Sequence, residues 1–236
     1  MGMLNHSTFP KLWRFLQWSI GGCCHKRRIV REKIGSRKNV LDVGCSVGII
    51  DPVFLNIPDL RYTGVDIDEA AIRTARRKYR YERCYQFHQG KIEGLELPES
   101  SFDFIVLSAV LHHVDDEGCQ RILSACNRLL TPDGLILVID PVQPIKGDPF
   151  LVRFFNSIEQ GLYVRHSKDF ETLLRSESSL QIADHREFFL KGSPLGFPKI
   201  TRCVALEMRR VIVDAEAEDV PYRMTSESQR NVFVTA

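Results

Sequence analysis

Apolar positions change period along this chain, and the changes mark out alternating strands and helices. Asn39–Val43 (NVLDV) is apolar, β-branched and stopped by glycine, the pattern of a strand buried on both faces. Asp51–Pro52 predicts an N-cap with proline in the first turn, opening a short helix through Phe54 and Leu55. Arg61–Ile67 (RYTGVDI) is expected to be a second strand. Asp68 is expected to cap a helix in which Ala71, Ile72, Ala75 and Tyr79 recur at helical spacing. CYQFHQG predicts a third, shorter strand, and Phe102–Val110 a fourth, nearly continuous in apolar residues. A long helix is expected from about Asp115 to Leu130, with Pro132–Asp133–Gly134 turning the chain into the strand Leu135–Asp140. Such alternation implies a parallel, doubly wound α/β sheet.

Beyond Asp140 the pattern shifts. Residues 141–177 predict one or two helices on a long excursion, in which Phe150, Phe154, Phe155, Leu162 and Phe170 would form a hydrophobic lid able to wall an apolar acceptor pocket. Two strand-like runs, LQIADHREFFL and KITRCVALEM, flank Gly192–Gly196 and predict a hairpin at the sheet edge. At the other end, Leu12, Trp13, Leu16 and Ile20 share one face of an amphipathic helix. That helix is expected to pack over the domain, the other reading being a seat on a membrane surface. The division that results is a helical cap over 1–36, a main domain over 37–208 and a tail over 209–236.

Composition narrows the function classes. A net charge of +2 over 236 residues is too small to argue for nucleic acid, and none is expected as a partner. Basic residues do cluster over His25–Lys38 and Arg73–Arg83, and the second cluster alternates as an exposed helix face would. No apolar run approaches the roughly 20 residues that span a bilayer. Lys11 and Arg14 interrupt the apolar start, so no signal peptide is expected. Seven cysteines without a Cys-x-x-Cys pair fit reduced thiols in a cytoplasmic protein better than a disulfide framework.

The chemistry concentrates where the first strand ends. In Asp42-Val43-Gly44-Cys45-Ser46-Val47-Gly48 the glycines permit a tight turn and let a ligand approach main-chain amides. Asp66, at the end of the next strand, lies at about the twenty-residue distance from Gly44 expected of a nucleoside-binding unit, where it would accept hydrogen bonds from two ribose hydroxyls. His112 and His113 follow the fourth strand at the carboxyl edge, where either imidazole could take a proton from an acceptor. The plainer alternative packs one under the next helix and sets the other against backbone. With Asp115 and Asp116 they form a run of metal-ligand types, but adjacent residues rarely converge on one ion, and no metal is expected. Gly44–Gly48 also spells G-x-S-x-G, the hydrolase nucleophile elbow, with Asp140 and His166 or His185 in the right chain order. A hydrolase elbow follows several strands, however, and only about forty, helix-like residues precede this one. The G-x-G-x-x-G of nicotinamide dehydrogenases fits poorly.

NVLDVGCSVG, YTGVDIDEAAI, LPESSFDFIVLSAVLHHVDD and LLTPDGLILVIDP, in this order, resemble the successive motifs of class I S-adenosylmethionine-dependent methyltransferases. The flavour is that of the small-molecule group that includes ubiquinone and menaquinone biosynthesis enzymes. The resemblance covers about Asn39 to Pro141. It implies a Rossmann-like, mostly parallel seven-stranded sheet with an antiparallel C-terminal hairpin. It also implies S-adenosylmethionine as cofactor, and methyl transfer to an O, N or C atom of a small, partly apolar metabolite. By resemblance, Asp42 and Gly44 would line the methionine part, in a turn completed by Cys45, Ser46 and Gly48. Asp66 would hold the ribose, Ile67 would face adenine, and the Leu107–Ser108 backbone would face the amino-acid end. Two positions depart from the pattern. Ser46 stands where the family commonly has glycine. Lys91 stands where an acid often reaches the adenine amino group, and it cannot accept that bond, so backbone and packing around Lys91–Ile92 would hold the base. Both departures keep open a non-catalytic relative that binds the cofactor and works through a partner.

Overall fold

The computed structural model describes residues 22–157, 161–191 and 198–211. The expected N-terminal amphipathic helix, the Gly192–Gly196 loop and the tail beyond Val211 lie outside the described residues.

Seven strands hydrogen-bond into one sheet: β1 (Asn39–Val43), β2 (Arg61–Asp66), β3 (Tyr85–Gln89), β4 (Phe102–Ser108), β5 (Leu130–Pro141), β6 (Leu180–Lys191) and β7 (Lys199–Arg210). Their order is β3-β2-β1-β4-β5-β7-β6. The first five pair in parallel, and β7 inserts antiparallel between β5 and β6. This is the Rossmann-like, doubly wound sheet with an antiparallel C-terminal hairpin. Alternate residues of the central strands feed two separate cores. Val40, Phe104, Val106 and Leu137 join one with α1 (Gly22–Ile34) and α2 (Glu69–Lys78), while Leu41, Ile105, Leu107 and Val138 join the other with α3 (Asp116–Leu129) and α5 (Ser167–Arg175). Burial on both faces is why these strands read as unbroken apolar runs.

The expected cap is present: Asp68 accepts from the Ala70 and Ala71 amides. Asp115, expected as the start of the long helix, is its N-cap and accepts from the Gly118 amide. Arg73, Arg76 and Arg77 lie on the exposed side of α2. Four expectations need correction. Asp51 caps nothing; it lies inside a single 3-10 turn, Asp51–Val53, with Ile50 at the cap position, because its carboxyl is drawn into the core. Pro132–Gly134 is not a turn between helix and strand. β5 starts at Leu130 directly after α3, and four of its residues, 131–134, bulge past the single Asp103 of β4 between the pairs Phe102–Leu130 and Phe104–Leu135. Of the excursion's apolar side chains, Phe170 is buried and Phe155 packs on the core, but Phe150 and Phe154, which α4 (Phe150–Ser157) turns outward, and Leu162 beyond it are exposed. Arg209 and Arg210, assigned to the tail, close strand β7. Among the described residues no helix is long and apolar enough to cross a membrane, and no group of three His, Cys, Asp or Glu side chains could hold a metal ion.

Candidate functional site

β1, β2 and β4 end side by side, and the turn after β1 passes through left-handed backbone at Gly44 (φ +75°), Ser46 (+51°) and Gly48 (+78°). A Cβ on Gly44 would collide with the Val110 side chain, and one on Gly48 with the Asp51 carboxyl. The amides of this turn are not open in the way the glycines suggest. Those of Gly44 and Cys45 donate to the Val65 carbonyl (2.7 and 3.1 Å) and that of Gly48 to Cys45 O (3.0 Å). Buried strand-end amides must be paired, and here the neighbouring strand pairs them. The Ser46 amide donates to Asp66 Oδ2 at 2.8 Å, while Asp66 Oδ1 accepts from the Asp68 amide at 2.9 Å. Asp66 therefore faces the turn and enters no ion pair with a side chain among the described residues.

Ser46 holds a backbone region that costs an L-residue about 1–2 kcal/mol. Glycine relieves this but orders a freer unfolded chain, at about 0.5–1 kcal/mol. Ser46→Gly is therefore expected to stabilise the protein by about 0.5–1 kcal/mol, read as a higher urea midpoint at unchanged slope. A lower midpoint would count against strain at this position.

The side chain of Cys45 faces away from the crevice. It is buried against Gly64 of β2, and desolvation pushes its thiol well up, so Cys45 offers the site backbone only. Ile92 is buried in the core, and Lys91 is exposed at the head of the Ile92–Gly94 turn. Ile67 stands 67% exposed at the crevice rim, with its carbonyl held by Gln89 Nε2 at 3.1 Å. Leu107 is fully buried and Ser108 half-buried. Ala109, directly after, is left-handed (φ +60°), with its amide on the Ile139 carbonyl.

Asp42 lies beneath the turn, 2% exposed. The Tyr62 hydroxyl is 2.8 Å from its Oδ2 and 2.8 Å from Asp51 Oδ1. Desolvation, then the neighbouring Asp51 charge, pushes Asp42 well up. Desolvation raises Asp51 to about 6, opposed by the Tyr62 hydrogen bond and by Lys78. Asp51 and Tyr62 escape sequence reading because Asp-Pro signals a cap and a tyrosine within a strand signals packing.

At the end of β4 the chain makes the turn Leu111–His113. His112 is buried there, its Nδ1 hydrogen-bonded to Asp140 Oδ1, and Asp140 Oδ2 accepts from the Leu111 amide at 2.7 Å. Gly161 lies against the His112 ring, where a side chain would not fit, and the Tyr163 amide donates to His112 O. Arg165 ties this segment down through Leu111 O, Val114 O and Asp116. His113 is exposed, its ring 4.0 Å from that of His112. Sequence reading singled out His112 but raised Asp140 only as a hydrolase partner, and it missed Arg165. The hydrolase arrangement is not assembled: Asp140 is engaged by His112 and Leu111, and His185 meets Glu171.

Residues 41–138 match the family described as Methyltransferase domain. An uncharacterized methyltransferase of Mycobacterium tuberculosis is 36% identical over 106 residues, 44% of this chain and 51% of that protein. A myricetin 3'/5'-O-methyltransferase of Solanum habrochaites is 33% identical over 125 residues, 52% of this chain and 32% of that protein. This chain thus spans about half or less of the length of these curated relatives. Among solved structures, a SAM-dependent methyltransferase from Aquifex aeolicus superposes with a TM-score of 0.64 at 15% identity, over 87% of this chain and 98% of that one.

Proposed function

We propose that this chain, whose residues 41–138 match the family described as Methyltransferase domain, is a class I methyltransferase that transfers the methyl group of S-adenosylmethionine to a hydroxyl oxygen of a small, partly apolar acceptor. The observation that carries the choice of oxygen is the buried His112–Asp140 pair at the end of β4. The name of the Solanum relative, an O-methyltransferase, supports the same choice.

The residues at the crevice suit the cofactor. Gly44 keeps the strand end free of a Cβ, and Asp66, already facing the turn, would accept from ribose hydroxyls. Ile67 would offer an apolar surface to adenine. When bound, S-adenosylmethionine supplies a methyl group made electrophilic by its sulfonium. The chain's part is to bring the acceptor oxygen into line and to remove its proton. His112 takes that proton at Nε2, because Asp140 holds Nδ1 and stabilises the imidazolium that forms. Asp140, fixed in turn by the Leu111 amide, orients the ring. The 141–177 excursion, tied down by Arg165, would exclude water from the acceptor.

Calorimetry with S-adenosylmethionine tests the cofactor half. Wild type is expected to bind, and Asp66→Ala to weaken binding about 10- to 100-fold, the value of one hydrogen bond to a charged group at about 1.5–3 kcal/mol. An unchanged melting temperature would separate this from unfolding. Turnover across a panel of hydroxyl acceptors tests the other half. Tight binding with no methyl transfer to any of them would favour a non-catalytic relative instead.

A further inference from the structure

Two buried carboxyls share one phenol under the glycine turn. The Tyr62 hydroxyl stands 2.8 Å from Asp42 Oδ2 and 2.8 Å from Asp51 Oδ1, and all three residues are 2% exposed or less. A phenol donates one proton, so it satisfies one carboxylate. Two bare carboxylates sharing a dry pocket would repel more strongly than one hydrogen bond repays, and one of them keeps a proton. Asp51 Oδ2 also has no hydrogen-bond partner among the described residues.

The surrounding charges decide which carboxyl keeps it. Asp51 is faced by Lys78 and Arg27, which also hold the Gly48 and Ile49 carbonyls, and is bordered by Tyr79 and by Tyr85, whose hydroxyl donates to Asp51 O. Asp42 is faced by the Asp51 and Asp66 carboxylates, the Cys45 thiol and Tyr62, and it forms no ion pair among the described residues. Asp51 is thus the anion and Asp42 the acid. Asp42 lies in β1 two residues before Gly44, on the strand whose end forms the cofactor turn.

We propose that Asp42 carries this proton in the free protein and releases it to solvent when the sulfonium cofactor binds, so that the crevice tells the cofactor from its demethylated product. The inference rests on the S-adenosylmethionine reading. Methyl transfer turns the positive sulfonium into a neutral thioether. A cation beside the turn stabilises the Asp42 carboxylate, its O–H breaks, and the proton goes to the buffer. Once the charge has left with the methyl group, Asp42 takes a proton back and the grip on the product weakens. Desolvation, then the Asp51 charge, pushes the Asp42 carboxyl well above the ordinary carboxylate range, in the same sense as the shared phenol.

Calorimetry at pH 7 in buffers of different ionisation enthalpy counts the protons. Release approaching one per S-adenosylmethionine is expected, and close to none per S-adenosylhomocysteine. S-adenosylmethionine affinity should rise with pH near neutrality by up to about tenfold per unit, and Asp42→Asn should abolish both effects. If the Asn variant does not fold, infrared spectra of wild type decide. The carboxylic-acid carbonyl band should disappear on adding S-adenosylmethionine and persist with S-adenosylhomocysteine. Equal proton release for both ligands, or none for either while both bind, overturns the proposal. Binding of neither ligand overturns the cofactor reading and this inference with it.

Discussion

Replacing His112 by alanine is expected to lower kcat for a hydroxyl acceptor by about 10²- to 10⁴-fold, the usual contribution of a positioned general base. The ring is buried and held through Nδ1 by Asp140, itself 1% exposed and fixed by the Leu111 amide. Among the described residues no other imidazole shares that arrangement: His113 is exposed and His185 meets Glu171. Asp140→Asn should lower kcat in the same direction, since an amide no longer stabilises the imidazolium and can impose the wrong tautomer. Both variants should keep S-adenosylmethionine affinity near wild type, because neither residue belongs to the β1 turn. Single-turnover methyl transfer under saturating cofactor, beside a binding measurement, separates the two effects. Wild-type turnover by His112→Ala would mean that the acceptor atom needs no base, as for many nitrogen nucleophiles, and the choice of oxygen would fall.

Gly48→Ala should produce the largest loss of stability from a single methyl group. Its φ of +78° costs an L-residue about 1–2 kcal/mol. The new Cβ would also strike the Asp51 carboxyl and stand 2.8 Å from the Tyr79 ring. Asp51 cannot yield easily, because it is fully buried and bonded to Tyr62, and overpacking of this kind costs about 1–3 kcal/mol. The sum, about 2–5 kcal/mol, would lower Tm by about 10 °C at this chain length. Gly147→Ala is the matched comparison. Gly147 is also left-handed (φ +106°), but a Cβ there meets nothing within 4 Å among the described residues, so backbone strain alone should appear. Melting curves of the two variants followed by circular dichroism test this, and equal losses would show that the Asp51–Tyr79 contact contributes nothing.

The stretches legible in the chain are those whose signal is local. Leu41, Val43, Ile105 and Leu107 alternate with Val40, Phe104 and Val106 between two cores, so both faces of the strands carry apolar side chains and the runs stand out. Asp68 announces its helix because a cap bonds amides two or three residues away. Gly44 and Asp66 could be placed because tandem parallel strands bring both to one sheet edge at a predictable spacing. Asp51 shows the limit. Asp-Pro carries the same cap signal wherever it occurs, yet here strand pairing delivers Tyr62 to its carboxyl. The outward aromatics of α4 were likewise unreadable, as periodicity tells which residues share a face and not which way that face turns.

The amino-acid order alone determined the strands and helices, the glycine bend, the acid on the following strand and the imidazoles after the fourth. Each depends on contacts within a few residues or on the period of burial. Only the folded chain decided that Asp140 meets His112, that Arg165 ties the excursion to the Leu111–His113 turn, and that Asp42 and Asp51 share Tyr62. Those partners stand 11 to 54 residues apart. Sheet order and the exclusion of water set their meeting, and no local spacing encodes either.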